Sequence, residues 1–373
     1  IGTDVRTGAG LPLSLTSPLD SAEFATGHDL DETTADALLT TARAGAREWG
    51  RTDPFERAKI LRAVALTLEN HVEELALLES ASVGKPIRDT RGECARVAEM
   101  FGYYAGWADK LVGEQPLVPG PWHVVTQRAP YGVVLAITPW NAPAFTGGWN
   151  SAAPIAAGNA VIVKPSELTP LTTIRLAQLA VEAGLPEGVF SVAFASGQPT
   201  GDLLVNDPRV DFVSFIGSVP VGQSVAAAVA GRGRPCVLEL GGKSANIVFP
   251  DADLDTAVDG ALAAIFASAG QSCVAGSRLL VHEDVYSDFH ERLSERAAAL
   301  FVGDPLDPNT EVGPIISAAQ ADKVRALTGE AEGRGLRITE TAAPKDAGEG
   351  HRFVTPTIID LSLIHISEPT RPY

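Results

Sequence analysis

GVVLAI, at residues 132–137, opens a series of short apolar segments that continues with VIVKP at 161–165, VFSVAF at 189–194 and VDFVSFIG at 210–217. A helix that ends before Gly184 is predicted between the second and third of these segments, at about 170–183. Strands that alternate with helices in this way are typical of a parallel sheet with helices on both faces. We therefore predict an α/β fold built on a doubly wound parallel sheet.

The segments on both sides of this series extend the predicted architecture. CVLEL at 236–240 and SANIVF at 244–249 predict two further strands. After them, apolar residues recur at helical spacing from Leu254 to Ala269, and this helix is expected to stop at Gly270, a residue suited to a left-handed cap. The predicted N-terminal helices cover residues 31–48, 54–81 and about 89–111.

Residues 113–131 differ in character from the helices before them. Proline and glycine break this segment, and short β-prone pieces such as HVVTQ alternate between the breaks. This pattern is typical of an extended hairpin. We therefore expect the segment to leave the domain that contains its neighbours.

Length and charge limit the classes of function. The chain has 373 residues, enough for two or three domains, and a net charge of −17 from 46 acidic and 29 basic side chains. Such a charge opposes a sequence-independent grip on a phosphate backbone. We expect neither nucleic acid nor an anionic membrane as a partner.

The cysteines predict a reducing compartment. Cys94, Cys236 and Cys273 are an odd number at wide spacings, which predicts neither a disulfide framework nor a metal site. No apolar run approaches the ~20 residues of a membrane-spanning helix, and the N-terminal residues carry no export signal. A cytoplasmic protein is the expectation that follows.

The stretch GQSCVAGSR, residues 270–278, places Cys273 among small residues directly after a long apolar run. One interpretation is structural, because cysteine often behaves as a small buried hydrophobe and Cys273 lies four residues beyond Ala269. The other is a nucleophile, because a loop of small residues past a helix end leaves a sulfur accessible and lets a backbone N–H approach the group under attack. The stretch alone leaves both interpretations open.

Two polar residues follow predicted strands. Glu239, in VLELGG, precedes Gly241 and Gly242. An exposed edge or a salt bridge would explain it, but the glycines favour a partly buried general base at the carboxyl end of a strand, where α/β proteins bind ligands. Asn141, in ITPWNAPAF, is bracketed by prolines, and it either forms an Asx-type turn or donates its amide to an oxyanion.

Two further stretches have the chemistry of nucleotide binding. Lys164 and Glu167, in VKPSE, are either a solvated pair in a turn or a site for a nucleotide ribose. The ribose hydroxyls can donate hydrogen bonds to a carboxylate. FIGSVPVG places Gly217, Ser218 and Gly222 around a predicted helix start, which attracts phosphate. The pattern differs from GxGxxG, so by itself it is a weak signal.

In this order, TPWNAP, KPSE, FIGSVPVG, LELGGKSANIVFPDADLD and GQSCVAGSR resemble the aldehyde dehydrogenase superfamily, in its NAD(P)-dependent, hydrolytic form. The resemblance extends from about residue 17 to Asp360. It implies a small-molecule aldehyde as substrate, a homo-dimer or tetramer, and no metal. Glu167 is expected to repel a 2′-phosphate, which favours NAD, while a flexible Lys164 leaves NADP open.

The resemblance implies a role for each residue singled out above. Cys273 would be the nucleophile, Glu239 the general base, and Asn141 the oxyanion donor together with the Cys273 N–H. Lys164 and Glu167 would hold the adenosine ribose of NAD. The remaining cofactor-binding residues implied by the resemblance are Gly217, Ser218, Gly222, Trp140, Gly197 and Leu240.

The chemistry implied by the resemblance follows from these residue types. Cys273 attacks the aldehyde carbon, Asn141 holds the oxyanion of the resulting thiohemiacetal, and hydride leaves for NAD. A thioester remains on the sulfur. Glu239 then activates the water that releases the carboxylic acid.

The resemblance also implies a division into domains. Residues 1–112 and 132–240 would form the NAD-binding domain, 113–131 an oligomerisation hairpin, and 241–360 an incomplete catalytic domain that is also α/β. The final residues share neither the acidic bias nor the periodicity of the rest, and we interpret LSLIHISEPTRPY, residues 361–373, as a non-native tail.

Three departures from the family pattern define the alternatives. Asn150 stands where a lysine is common, and Ala142 stands where an aromatic residue is common, which predicts a roomier substrate pocket. The sequence also stops before the family's Glu-x-Phe-Gly-Pro segment, whose glutamate binds the nicotinamide ribose. A non-catalytic or inactive relative that binds NAD without turnover is therefore the alternative function. A cysteine hydrolase is disfavoured, because no histidine lies in a motif that would pair it with Cys273.

Overall fold

The computed structural model describes residues 8–342 and 352–361, and the chain divides into two compact units. The first unit contains Ala25–Ala76, Arg91–Glu239 and the stretch that ends at Leu15. The second contains Thr16–Phe24, Leu77–Thr90 and the stretch from Leu240 onward. The predicted tail at 361–373 lies outside the described residues, apart from its first residue.

A parallel sheet forms the centre of the first unit. Its strand order is β5-β4-β3-β6-β7, with β3 paired in parallel to both β4 and β6. Every residue of β4 is buried, so both faces of the sheet are covered, as expected for a doubly wound fold. The α/β prediction is confirmed. The strands are β3 (Val133–Ile137), β4 (Ala160–Lys164), β5 (Phe190–Val192), β6 (Phe212–Gly217) and β7 (Cys236–Leu240).

The N-terminal helices agree with the apolar spacing except at two boundaries. The predicted helix over 54–81 is interrupted at His71, whose N–H caps the preceding helix through the Leu68 carbonyl at 3.1 Å. The predicted helix over 89–111 ends at Ala105, before Gly106. The helices are α1 (Glu32–Trp49), α2 (Pro54–Asn70), α3 (Val72–Val83) and α4 (Ile87–Ala105).

Short helices follow the strands of the sheet, and a two-stranded sheet that the sequence pattern did not predict precedes α1. The predicted helix at 170–183 is confirmed as α6, with Gly184 at φ +100° directly after it. The helices are α5 (Pro143–Ala156), α6 (Leu171–Glu182), α7 (Thr200–Val205) and α8 (Val219–Ala230), and the N-terminal strands are β1 (Pro12–Thr16) and β2 (Glu23–His28).

Residues 113–131 form an extended excursion in which every residue is exposed. Its two arms meet where the Thr126 N–H donates to the Glu114 carbonyl at 2.8 Å. Within these described residues no strand is formed, so the β-prone piece HVVTQ has no ladder partner. The role of the segment in oligomerisation stays a prediction.

The second unit is built on its own core. Val248 packs with residues of α9 and α10, among them Val258, Leu262, Phe289 and Leu293. Strands β8 and β9 pair in parallel, and β10 and β11 pair antiparallel. Its elements are β8 (Ala245–Val248), α9 (Leu254–Phe266), β9 (Arg278–Val281), α10 (Glu283–Ala298), α11 (Ala318–Gly333), β10 (Arg337–Glu340) and β11 (Thr357–Asp360).

Residues 77–90 belong to the second unit, whereas the domain boundary predicted from the sequence placed them in the first. The Ile87 N–H donates to the Pro305 carbonyl at 2.8 Å, and the Ser80 hydroxyl donates to the same carbonyl at 3.1 Å. These bonds join residues more than two hundred positions apart, which periodicity cannot detect.

None of the helices in the described residues is long and apolar enough to cross a membrane.

Candidate active site

Cys273 lies in a turn after α9, and its side chain is exposed. This position excludes the structural interpretation, in which the cysteine would extend the buried stripe of the helix. In the part of the chain that the structure describes, no group accepts from the Cys273 N–H. An accessible sulfur and a free backbone donor on the same residue are what attack on a carbonyl carbon needs.

The helix before Cys273 ends earlier than the apolar spacing predicted. α9 stops at Phe266, and Ser268 and Ala269 adopt left-handed φ values of +52° and +54° in a 3₁₀ turn. The Gly276 N–H donates to the Ala264 carbonyl at 2.9 Å. If the helix continued, that carbonyl would accept from the N–H of residue 268. The prediction that the α-helix runs to Gly270 was therefore wrong, because the bond from Gly276 replaces the helical one, but Gly270 has the left-handed conformation expected of it, with φ +75°.

The Cys273 loop is fixed on both sides. On one side the Gln271 amide donates to the Ser268 carbonyl at 3.2 Å, and its oxygen accepts from the Ile316 N–H at 3.0 Å. On the other side the Gly276 bond described above returns the chain to α9. A loop held at both ends presents the thiol with little freedom, which favours a reactive geometry.

Gly242 lies beside this loop. A Cβ at Gly242 would stand 3.2 Å from the Cys273 carbonyl oxygen, closer than ordinary van der Waals contact. The backbone of the cysteine therefore approaches this glycine closely. Gly241 has open space around its Cβ position among the described residues.

Asn141 lies in the bend between β3 and α5, where Pro143 occupies the first turn of the helix. Its side chain is partly buried. The preceding Trp140 is fixed by its carbonyl, which accepts from the Thr169 hydroxyl at 3.0 Å. The turn therefore holds Asn141 at the carboxyl end of a buried strand, where α/β proteins bind ligands.

Glu239 lies on β7, the edge strand of the sheet, and its side chain is exposed. The sequence predicted a partly buried carboxylate, and this prediction was wrong. Val237 and Glu239 lie on the same face of β7 and both are exposed, so the described residues leave this face of the strand uncovered. Leu240, the last residue of the strand, is partly buried.

Lys164 and Glu167 are brought together at the end of β4. The Lys164 Nζ lies 3.8 Å from the Glu167 Oε2 and donates to the Pro165 carbonyl at 3.2 Å. Lys164 is 6% exposed, and its burial lowers its pKa from 10.5, against the opposing charges of Glu167 and Asp29. Glu167 remains partly open to solvent. This access is needed by a carboxylate that accepts hydrogen bonds from ribose hydroxyls.

The predicted phosphate-side residues surround the start of α8. Gly217 ends β6, Ser218 is the N-cap, Pro220 lies in the first turn, and the Gly222 N–H donates to the Ser218 carbonyl at 2.9 Å. Within the described residues the Ser218 side chain makes no capping bond, which leaves the first N–H groups of the helix for an anion.

Gly197 lies in an exposed turn before α7. A Cβ at this position would meet no atom within 4 Å in the described part of the chain, so the turn is open to a ligand. The same turn holds Ser196 and Thr200, both bound to the buried carboxylate of Asp29. The sequence prediction missed this group, because no local pattern connects residue 29 with residue 196.

Asn150, where the family pattern commonly has lysine, has a structural role. Its amide donates to the Thr146 carbonyl at 2.8 Å and accepts from the Ser214 hydroxyl at 2.6 Å, so it ties α5 to β6. An amide with both ends engaged carries no titratable proton. The asparagine at this position therefore adds hydrogen bonds between α5 and β6.

The family itself is decided by comparison with known proteins. The model of the aldehyde dehydrogenase family matches residues 7–363. This chain belongs to the aldehyde dehydrogenase family. The resemblance inferred from the five motifs is thereby confirmed, as is the prediction of an enzyme of this class.

Individual aldehyde dehydrogenases are similar over most of the chain. The betaine aldehyde dehydrogenase of Cereibacter sphaeroides is 40% identical over 339 residues, which is 90% of this chain and 70% of the relative. The NAD-dependent aldehyde dehydrogenase of Sinorhizobium meliloti has a TM-score of 0.91 and 37% identity, over 96% of this chain and 72% of that one.

A third comparison adds a structure solved with cofactor. The betaine aldehyde dehydrogenase of Staphylococcus aureus, in complex with NAD+, has a TM-score of 0.91 and 33% identity to this chain. The match covers 95% of this chain and 72% of the Staphylococcus aureus chain. The aldehyde dehydrogenase motifs of this chain thus lie on the fold that its family uses.

Proposed function

We propose that this aldehyde dehydrogenase oxidises its substrate through a covalent intermediate on Cys273. The observation that carries the proposal is the exposed Cys273 thiol in a loop tethered at both ends, with a backbone N–H that has no acceptor among the described residues. As a thiolate, the sulfur attacks the aldehyde carbon and forms a thiohemiacetal. The oxyanion of this adduct accepts hydrogen bonds from the Cys273 N–H and the Asn141 amide.

NAD is the cofactor, and when bound it accepts the hydride that leaves the thiohemiacetal carbon. The residues present fit an adenosine ribose and a pyrophosphate. Glu167 offers a partly open carboxylate beside the Lys164 ammonium, and the N-terminus of α8 at Ser218 offers free N–H groups. The open turn at Gly197 adds room for a ligand. The Glu167 charge disfavours a 2′-phosphate at the same place.

The proposed second half of the reaction is hydrolysis of the thioester on Cys273. Glu239 accepts a proton from water, the hydroxide attacks the thioester carbonyl, and the carbon–sulfur bond breaks to release the carboxylic acid. The exposed Glu239 suits this role because water must reach it in every turnover. A buried carboxylate would need an entry path.

The proposal is tested by following NADH absorbance when aldehyde and NAD are added to the chain. We expect NADH to appear only when both are present, with one carboxylic acid formed for each NADH. NAD binding without NADH from any aldehyde would favour the non-catalytic alternative, which the named relatives do not support. Aldehyde consumption that does not require NAD would favour a cysteine hydrolase.

Betaine aldehyde is the first substrate to assay. The names of the relatives suggest it. A cavity of about 400 Å³ in the first unit has three aromatic side chains of the kind that attract a quaternary ammonium group, and the Arg96 charge at the same wall, which opposes a cation, is paired with Glu99 at 2.7 Å. We expect a higher kcat/KM for betaine aldehyde than for an uncharged aldehyde of similar size, measured as NADH formation. The cavity is lined by Arg96, Glu99, Met100, Tyr103, Tyr104 and Trp149.

Loss of the Asn141 amide is expected to slow the chemical step. In Asn141→Ala, kcat should fall by about 10²–10³, the usual cost of one oxyanion donor, with a smaller change in KM. Steady-state NADH formation measures both constants. Asn206→Ala is the matched control, because its amide bonds only a helix carbonyl, at 3.0 Å. Equal rates in the Asn141 variant and the control would remove Asn141 from the oxyanion site.

We propose that 113–131 mediates oligomerisation. Leu117 is 101% exposed and Trp122 is 74% exposed. Exposure of such large apolar side chains to water is unfavourable, and association of two chains through this segment would bury them. In Leu117→Glu/Trp122→Ser the oligomer should dissociate, with its mass measured by light scattering. Phe55→Glu, at a residue that is 71% exposed on α2, should leave the mass unchanged. An unchanged mass in the double variant would reject this role.

A further inference from the structure

A cavity of about 280 Å³ lies in the first unit, and none of its lining residues belongs to the candidate active site. Its walls come from β1, β2, α1, α6 and β5, and large apolar side chains such as Leu15, Leu38, Ile174 and Phe190 contribute to them. The volume is close to the lower end of the range for small-molecule sites, roughly 300 Å³. The cavity is therefore large enough for a small organic molecule.

Ser191, the middle residue of β5, brings an unpaired polar group to this cavity. The residue is 1% exposed and lines the cavity, and its hydroxyl has no hydrogen-bond partner among the described residues. A buried hydroxyl without a partner is unfavourable, and folded proteins give most such groups a partner from the protein or from an ordered molecule. A molecule in the cavity would supply that partner.

The backbone of β5 offers further hydrogen-bonding groups. β5 is an edge strand that pairs with β4 alone. The Ala193 N–H donates to the Val163 carbonyl at 2.8 Å, and such bonds fall on alternate residues of a strand, so the N–H and C=O groups of Phe190 and Val192 point away from β4. Both residues line the cavity, and no described group bonds to these backbone atoms.

The charge of the walls restricts the kind of molecule that fits. None of the described residues that line the cavity is Asp, Glu, Lys or Arg, and the one titratable side chain is His28, an exposed residue at the end of β2. A charged ligand would lose its hydration there without gaining an ion partner. A neutral ligand with an apolar body is therefore favoured.

We propose that this cavity is a second ligand site, which binds a small neutral alcohol. Ser191 and the free edge of β5 together present donors and acceptors, and a hydroxyl is the group that both donates and accepts. The apolar body of the alcohol packs against Leu38, Ile174 and Phe190. The site is separate from the aldehyde oxidation proposed at Cys273, and it does not depend on that proposal.

The experiment compares para-fluorobenzyl alcohol with para-fluorotoluene, two probes that differ by one hydroxyl group. Each is titrated into the chain, and binding is read from the broadening of its fluorine NMR signal. In Ser191→Ala, the affinity for the alcohol relative to that for the toluene should fall by about threefold to tenfold, the effect of one hydrogen bond. Ser151→Ala is the matched control, because its buried hydroxyl lies outside the cavity and donates to the Gly147 carbonyl at 2.6 Å. It should leave this ratio unchanged.

A second substitution locates the bound probe. Ala177→Phe places a ring in the cavity from α6, and it should lower both affinities by at least about tenfold. Thermal unfolding checks that the variant folds. If it does not, Gln178→Phe repeats the test at a half-buried residue of the same wall.

Three outcomes would overturn the inference. In the first, the unsubstituted chain binds neither probe at millimolar concentration. In the second, the probes bind, but the phenylalanine variant that folds binds them equally well, which would place them elsewhere on the chain. In the third, Ser191→Ala keeps the ratio of the two affinities, so that the hydroxyl of the ligand is not recognised.

Discussion

Cys273→Ala is expected to abolish aldehyde-dependent NADH formation, with a loss of at least about a thousandfold in kcat. The thiol is the only group proposed to bond to the substrate, so its removal leaves no thiohemiacetal from which hydride can leave. Because Cys273 is exposed in a turn, the substitution leaves no cavity in the core. The thermal unfolding midpoint should therefore stay close to that of the unsubstituted chain.

Cys236→Ala is the matched control for this experiment. Cys236 is also a free cysteine and lies on β7, where it is partly buried, so its loss tests whether any accessible thiol supports turnover. We expect near-normal NADH formation. Retained activity in Cys273→Ala, or an equal loss in Cys236→Ala, would show that Cys273 is not the nucleophile.

Glu239→Gln should separate the two halves of the reaction. The amide keeps the size of the side chain but cannot accept a proton, so thioester hydrolysis should slow while its formation continues. We expect a rapid burst of about one NADH per active site, followed by a steady state about 10²–10⁴ slower than normal. Stopped-flow absorbance at the NADH band resolves both phases.

Glu291→Gln, at an exposed residue of α10, controls for the loss of a surface charge. It should behave as the unsubstituted chain does. Loss of the burst in Glu239→Gln would place this carboxylate in the first half of the reaction. A normal steady state would mean that another group activates the water.

The sheet and most of its helices could be predicted from the sequence because their signals are local. The buried strands β3 and β4 have continuous apolar runs, and α6 is followed, one residue after its end, by a glycine that adopts φ +100°. Each of these features depends on neighbours in the chain. The pairing of Lys164 with Glu167 was predictable for the same reason, since they lie three positions apart in one turn.

Several of the missed features depend on contacts between distant residues. α9 ends at Phe266 because the Gly276 N–H donates to the Ala264 carbonyl. The apolar spacing of the sequence continues beyond this helix end. Glu239 is exposed because its face of β7 is not covered by the described residues, which tertiary packing decides and composition does not. Asp29 binds Ser196 across 167 positions, and an aspartate before a helix has no sequence signal for such a partner.

Mass spectrometry of the acyl-enzyme tests the central proposal most directly. Glu239→Gln is mixed with NAD and aldehyde, quenched in acid during the burst, digested and mapped. We predict that the acyl group of the aldehyde is found on the peptide with Cys273, in an amount that matches the NADH formed, and that it is absent when NAD is omitted. NADH formation with an unmodified Cys273, or an acyl group on another residue, would contradict the proposal.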